Sequence, residues 1–266
     1  MIIIKDKTKD YVENWTNDSI HVVADFDRTI TSSDSSGSWG LLASSNLLDP
    51  NYSNERNELF NKYRPIEIDE TISDEEKCKS MLEWWKLHVG LFIKYKLSER
   101  VIDEAANNIH VMPLRKGAKV FLENMYKKNI PVIIISAGLG NFIDKSLIYN
   151  KCYYPNIKIV SNFIEFKDGV AVGISDNITH SLNKNEVSFP EDIKELIKDR
   201  ENTVLLGDVI PDTKMSSCTD PKHIVRIGFL DENVTERIKY FEEAFDVVCT
   251  DNTGYDELME SIPIFK

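Results

Sequence analysis

Cysteine is scarce and scattered in this sequence. The four, Cys78, Cys152, Cys218 and Cys249, form no C-x-x-C pair. A zinc site or a disulfide framework needs clustering or a secretory setting, so reduced thiols are expected. Long apolar runs are also missing, and none approaches the ~18 residues of a membrane helix. The opening Met1-Ile2-Ile3-Ile4 turns charged at Lys5 and Asp6, too short for a signal peptide. A soluble, cytoplasmic chain is the expectation. Positive charge is short as well: 32 Lys and Arg stand against 44 Asp and Glu, a formal net charge of −12. Nucleic acid and acidic membrane surfaces would be repelled on average, so neither is expected as a partner. A small anionic substrate remains compatible if its site carries a cation, which points towards a metal. There is no internal repeat and no low-complexity tract.

What is present is ordinary globular material. The 266 residues are 42% hydrophobic and 29% charged, enough for one large core or a core with a subsidiary lobe. Six short, largely β-branched runs read as buried parallel strands: 21–24, 132–135, 157–160, 203–206, 224–227 and 246–249. Helical patterns separate most of them, notably 117–128, 191–199 and 233–245. This alternation predicts an α/β fold with a doubly wound, mainly parallel sheet. From Ser32 to Val111 no strand is evident. Helical patterns there begin near Ser53, Ser73 and Ser98, each a plausible cap. Since βα loops usually run about 2–6 residues, this stretch reads as an inserted helical lobe. The core would then comprise 1–31 and 112–266, and the lobe 32–111. Asp168-Gly169, between two alternating segments, signals a hairpin.

Four segments fall at predicted strand ends, where ligands of open α/β sheets bind. Asp25-Phe26-Asp27-Arg28-Thr29 follows the first strand. Side chains two apart on extended backbone share a direction, so Asp25 and Asp27 can serve one site as nucleophile and proton carrier. Alone, D-x-D is short and frequent and reads equally as two solvated loop acids. Ser136-Ala137-Gly138 follows the second strand. Its small residues and free N–H groups suit a phosphoryl group, though the same pattern makes a plain turn. Gly207-Asp208-Val209-Ile210-Pro211-Asp212 offers two further acids for Mg²⁺, or helix-capping turn residues. Lys184 is one lysine among many, but a lysine there could bind phosphate and neutralise carboxylates. Together the segments say more than any one does, because a single crevice can collect all four.

These segments resemble the motifs of the haloacid dehalogenase superfamily of phosphatases. The resemblance implies Asp25 as nucleophile and Asp27 as general acid and then base. Ser136, with Ala137, and Lys184 would hold the phosphoryl oxygens. Asp25, the Asp27 carbonyl and Asp208 would hold Mg²⁺, supported by Asp212. The stretch 63–69 (Tyr-Arg-Pro-Ile-Glu-Ile-Asp), Met81-Leu82-Glu83-Trp84-Trp85, Val160-Ser161-Asn162-Phe163 and the segment 178–184 are similar to the pyrimidine 5′-nucleotidase family, the cytosolic type-three nucleotidases. That similarity implies that Glu67 contacts the nucleobase and that Trp85 lies in the cap pocket. It fits the chemistry: a carboxylate accepts from an exocyclic amine, and an aromatic face stacks on a base for ~1–3 kcal/mol. The sequence departs from the family at Thr31–Leu48 and at Val209-Ile210-Pro211. It departs also at His88, where a small hydroxyl residue aids base recognition in some members. His88 is therefore a candidate base contact, and Trp39 reads either as a second stacking group or as cap packing.

The expected activity is Mg²⁺-dependent hydrolysis of a nucleoside 5′-monophosphate, pyrimidine preferred. One alternative keeps the chemistry with another small phosphorylated metabolite, and another is an inactive binding protein on the same scaffold. Nothing in the sequence sets the oligomeric state; a monomer is the default expectation.

Overall fold

A computed structural model describes residues 1–6, 8, 12–69, 71–107, 112–175, 177–185, 189–216 and 223–266. In chain order the elements are β1 (Ile2–Ile4), β2 (Ile20–Ala24), α1 (Gly37–Ser44), α2 (Pro50–Ile68), α3 (Asp74–Lys94), α4 (Glu99–Ala106), α5 (Ala118–Lys127), β3 (Val132–Leu139), α6 (Gly140–Tyr149), β4 (Ile157–Asn162), β5 (Ile164–Lys167), β6 (Val170–Ile174), α7 (Glu191–Ile197), β7 (Asn202–Gly207), β8 (His223–Leu230), α8 (Val234–Ala244), β9 (Val247–Thr250) and α9 (Tyr255–Ser261). A 3₁₀ turn spans Ile210–Ser216.

Among the described residues the main sheet has seven strands in the order β1-β9-β8-β7-β2-β3-β4. All neighbours are parallel except the edge pair β1–β9, where Ile2 faces Cys249. β2 is central, with Val22 opposite Val132 of β3 on one side and Val204 of β7 on the other. Its residues alternate between two apolar layers. Val22 and Ala24 pack with Ile134, Val204 and Leu206, and Val23 packs with Ile133, Ile135 and Leu205. A strand covered on both faces has no polar side, which is why these runs lack alternation.

All six expected strands form, each within a few residues of its expected bounds. β1 was not expected: three isoleucines become a strand only through pairing with β9, far off in sequence. The hairpin forms as β5–β6, with Asp168 and Gly169 both at positive φ, the geometry that matches strand twist.

The stretch after β2 is helical, as expected, with two differences. α2 begins earlier than Ser53; Asp49 caps it by accepting from the Asn51 N–H at 2.8 Å, and Pro50 opens it. α1 was not expected at all. The Ser73 and Ser98 caps are as expected. The segment leaves and re-enters the core side by side: Thr31 bridges Leu114 antiparallel, the Ser32 N–H donates to Pro113 O at 2.8 Å, and the Arg115 N–H donates to Ile30 O at 2.9 Å. The expected junction at residue 111, the end of the third helix at Asn108 and Cys218 lie outside the described residues. Among the described residues no helix is long and apolar enough to cross a membrane.

Candidate active site

The carboxyl ends of β2, β3 and β7 and the loop 178–184 converge on one cavity of about 420 Å³. Asp25 leaves β2 buried, its N–H bonded to Leu206 O at 2.9 Å. The Lys184 ammonium donates to Asp25 Oδ1 and, at 3.4 Å, to Asp212 Oδ1. Asp212 folds back over Gly207, where a Cβ would sit 2.6 Å from the Asp212 Cβ; only glycine leaves that room. From there Asp212 Oδ2 accepts the N–H groups of Asp208 and Val209, each at 3.2 Å. One oxygen from each of Asp25, Asp208 and Asp212 lies within 4.8 Å of the others.

Lys184 compensates this cluster only in part. Burial pushes Asp25 up to about 7, against the pull of Lys184, and repulsion from Asp212 and Asp27 adds to the rise. Burial and the nearby Asp25 and Asp212 hold Asp208 well above the usual carboxylate range. Burial works against the charge of Lys184, but Asp212 and Asp25 outweigh it and its pKa is raised. Desolvation also raises Asp27, whose Oδ1 is buried without a partner. Several acids around one lysine are what a divalent cation would relieve, and oxygen donors suit a hard one. The residues present therefore fit Mg²⁺.

The Ser136 segment differs in form from a simple turn. β3 continues to Leu139, but Ile135 pairs with Val160 while Leu139 pairs with Asn162, so residues 136–138 bulge from the ladder. Ser136 is buried and its Oγ accepts the Gly138 N–H at 3.0 Å; Ser136, Ala137 and Gly138 line the cavity. Behind them the fully buried Asn162 acts as a bracket. Its Nδ2 donates to Ala137 O, Gly138 O and Thr179 O at 3.4, 3.3 and 2.7 Å, and its Oδ1 accepts the Thr179 N–H at 2.8 Å. It thus ties the bulge to the loop that carries Lys184.

The far end of the cavity is aromatic and comes from the helical segment. Trp39, Trp84, Trp85, His88, Phe60 and Met81 line it. Trp39 lies 4.5 Å from Trp85 and 4.6 Å from His88, centroid to centroid, so it is both packed and part of the wall. Glu67 lines the same cavity with them. Its Oε2 accepts from Arg64 at 2.5 Å and its Oε1 from Ser181 at 2.6 Å. His88 is buried, with its pKa lowered to about 4 by burial and by Arg56, and its Nε2 has no partner. The structure therefore gathers every residue singled out from the sequence: Asp25, Asp27, Ser136, Ala137, Lys184, Asp208 and Asp212 at one end, Glu67, Trp85 and His88 at the other. Arg56, Arg64, Trp84 and Ser181 join the wall unforeseen; the last three lie within quoted motifs and Arg56 within the helical pattern that begins near Ser53, but nothing in the pattern marks them out. Arg115 and Asn162 support the site from behind.

A model of the pyrimidine 5′-nucleotidase (UMPH-1) family matches residues 26–262. The 7-methylguanosine phosphate-specific 5′-nucleotidase of Drosophila melanogaster is 33% identical over 246 residues, 89% of this chain and 77% of that protein. The human protein of the same name is 32% identical over 247 residues, 90% of this chain and 82% of that one. A crystal structure of cytosolic 5′-nucleotidase IIIB bound to cytidine superposes with a TM-score of 0.90 at 29% identity, covering 99% of this chain and 93% of that one. Apo phosphoserine phosphatase, at 15% identity and a TM-score of 0.56, shares the fold across 92% of this chain and 98% of its own. With the site's geometry beside them, these likenesses place the chain in the pyrimidine 5′-nucleotidase family, phosphomonoester hydrolases on a haloacid dehalogenase-type fold.

Proposed function

We propose that this protein hydrolyses nucleoside 5′-monophosphates to nucleoside and phosphate, with a preference for pyrimidines. The observation that carries this is the shared cavity: a buried lysine–carboxylate cluster at one end, an aromatic wall and a fixed carboxylate at the other. Phosphate and base can be held at once. The related structure with bound cytidine and the family match support the substrate class. The cytoplasmic location expected from the sequence accords with that neighbour's cytosolic name.

Asp25 attacks phosphorus in line, forming its O–P bond as the P–O5′ bond breaks, and Asp27 delivers a proton to the leaving O5′. Asp27 then takes a proton from the water that attacks the aspartyl-phosphate, and the P–O bond to Asp25 breaks. Lys184 fixes the Asp25 carboxylate and offsets its repulsion of the phosphate. The Ser136 segment, with Ala137, holds phosphoryl oxygens. Asp25, Asp208 and the Asp27 carbonyl, supported by Asp212, would hold Mg²⁺, which supplies charge neutralisation of the phosphoryl group. Glu67 accepts from the base, Trp85 and Trp39 stack on it, and His88 is a further base contact.

Phosphate release from CMP, UMP, AMP, GMP and 7-methyl-GMP, measured with Mg²⁺ and with EDTA, tests this reading. EDTA should lower release at least ~10²-fold, with recovery on excess Mg²⁺, since several kcal/mol of charge stabilisation is lost. Undiminished release in EDTA would remove the metal assignment, and release only from non-nucleotide esters would remove the nucleotidase one. Glu67→Ala should lower kcat/KM for preferred nucleotides ~10- to 100-fold, matching loss of a charged hydrogen bond worth ~1.5–3 kcal/mol. Ribose 5-phosphate should change little; equal losses on both would end the base-reading role.

A second reading concerns the base. Three tryptophans and a carboxylate line the pocket, a set that suits a cationic, alkylated purine. The relatives named for 7-methylguanosine phosphate favour it too. The same panel separates the two readings by their kcat/KM ratio.

A further inference from the structure

The stretch from Thr31 to Leu48 departs from the family pattern and has only Trp39 in the scheme above. In the structure its centre, α1, starts directly against Asp27. Gly37 takes φ 65° and approaches so closely that a Cβ would stand 3.3 Å from Asp27 Cγ and Oδ2. The next residue, Ser38, is fully buried. Its N–H donates to the Asp27 carboxylate, and its Oγ accepts the Leu139 N–H at 3.1 Å. The same Oγ fills the place beside Gly138, where a Cβ would meet it at 2.4 Å. One serine thus joins three things: the first turn of α1, the phosphate-side bulge of β3 and the carboxylate of Asp27. Asp27 Oδ1 has no partner, so this contact gives the carboxylate its direction. One residue further on, Trp39 stands in the aromatic wall.

We propose that Ser38 is a positioning residue that aims Asp27 for proton transfer, by clamping the first turn of α1 to the Ser136–Leu139 segment. The inference rests on Asp27 being the proton carrier. Its chemistry makes a distinctive demand. When the P–O bond to the leaving group breaks, a sugar alkoxide is strongly basic and must take the Asp27 proton, whereas nitrophenolate leaves without one. A badly aimed Asp27 therefore slows poor leaving groups selectively. In the second half it slows removal of the proton from the attacking water, whatever the ester was.

The test is kcat/KM for Ser38→Ala on aryl phosphates of graded leaving-group basicity, with ribose 5-phosphate at the alkyl end. None carries a nucleobase, so base contacts do not enter, and kcat/KM reports only steps through aspartyl-phosphate formation. Ser38→Ala should lower ribose 5-phosphate ~10- to 100-fold, within the range of acid–base contributions, and p-nitrophenyl phosphate by less than ~3-fold. Rapid mixing with p-nitrophenyl phosphate should show a nitrophenolate burst as breakdown of the intermediate slows. A uniform loss across the series without a burst, as general loosening of the fold would give, overturns the proposal. Gly37→Ala, whose Cβ presses on Asp27, should give the same split and decides the matter if Ser38→Ala does not fold. Asp27→Asn run in parallel separates the two layers. If it shows no leaving-group dependence, the assignment of Asp27 fails; if it does and Ser38→Ala does not, only the role of Ser38 fails.

Discussion

Asp25→Asn is expected to lower kcat at least ~10³-fold on every phosphomonoester, a loss of about 4 kcal/mol in transition-state stabilisation. The carboxamide keeps the size of the side chain and an oxygen for Lys184, but it has no anionic oxygen to attack phosphorus. Stability should move the other way. Burial chiefly raises the Asp25 pKa, repulsion from Asp212 and Asp27 adds to it, and Asp25 in turn helps to raise Asp208. Removing one negative charge relieves that repulsion, so in EDTA the variant should melt no lower than the wild type. Added Mg²⁺ should raise its melting temperature less than it raises the wild type's, because one donor is weakened. Near-wild-type turnover in a clean preparation would dispose of Asp25 as nucleophile. A melting temperature several degrees lower in EDTA would mean that the Lys184–Asp25 pair stabilises more than the acid cluster costs.

The second large effect lies behind the site. Arg115 is 3% exposed and pairs with Asp231 at 2.8 Å. Its other donors go to the carbonyls of Thr29 at 3.2 Å, Thr253 at 3.3 Å and Arg28, and its guanidinium stacks 4.2 Å from the Phe229 ring centroid. Arg115→Met keeps the apolar stem but removes the ion-pair partner of Asp231 and the guanidinium donor of the Arg28 and Thr253 carbonyls, leaving, among the described residues, Asp231 only the Asn252 N–H and Thr29 O only the Tyr255 hydroxyl. Breaking a buried pair from one side typically costs ~3–5 kcal/mol, and urea unfolding should show a loss of that size. Adding Asp231→Asn should recover part of it, since the uncompensated charge is then gone. A loss below ~1 kcal/mol for the single variant would show that water reaches Asp231 and that the pair is not a structural centre. Activity should fall as well, because the carbonyls of Arg28 and Thr29 belong to the turn that follows Asp27.

Much of this was legible in the sequence because it rests on local signals. A strand covered on both faces must be apolar throughout, so 132–135 and 203–206 declare themselves. D-x-D and G-D are written side by side and lie at strand ends, which is where the fold collects them. The caps of α3 and α4 were legible because a serine precedes each helix and accepts its own N–H groups. α1 was not. Its N-cap residue Ser36 makes no side-chain bond, and its first turn, Gly-Ser-Trp-Gly, has poor helix propensity. Burial of Leu41 and Leu42 and the docking of Trp39 hold it instead. Arg115 and Asn162 were opaque for a related reason. An arginine before a lysine, or an asparagine at a strand end, acquires its meaning from carbonyls and carboxylates far along the chain. The bulge at residues 136–138 likewise depends on the register of β4, which no local pattern encodes.

The placement of β2 has a consequence in time rather than in space. The strand that ends at Asp25 is made near the start of the chain, yet its two neighbours come later: Val132 faces it from β3, and Val204 closes the other side from β7. Between β2 and β3 the whole helical segment must be built and its ends brought together at Thr31 and Leu114. Until β7 exists, one edge of a strand that ends fully buried has no hydrogen-bonding partner, the state in which chains pair with one another. Pairings this distant in sequence also form slowly. Asp25, the proposed nucleophile, therefore follows a strand synthesised early and secured late, and the candidate site can appear only when most of the chain is already in place.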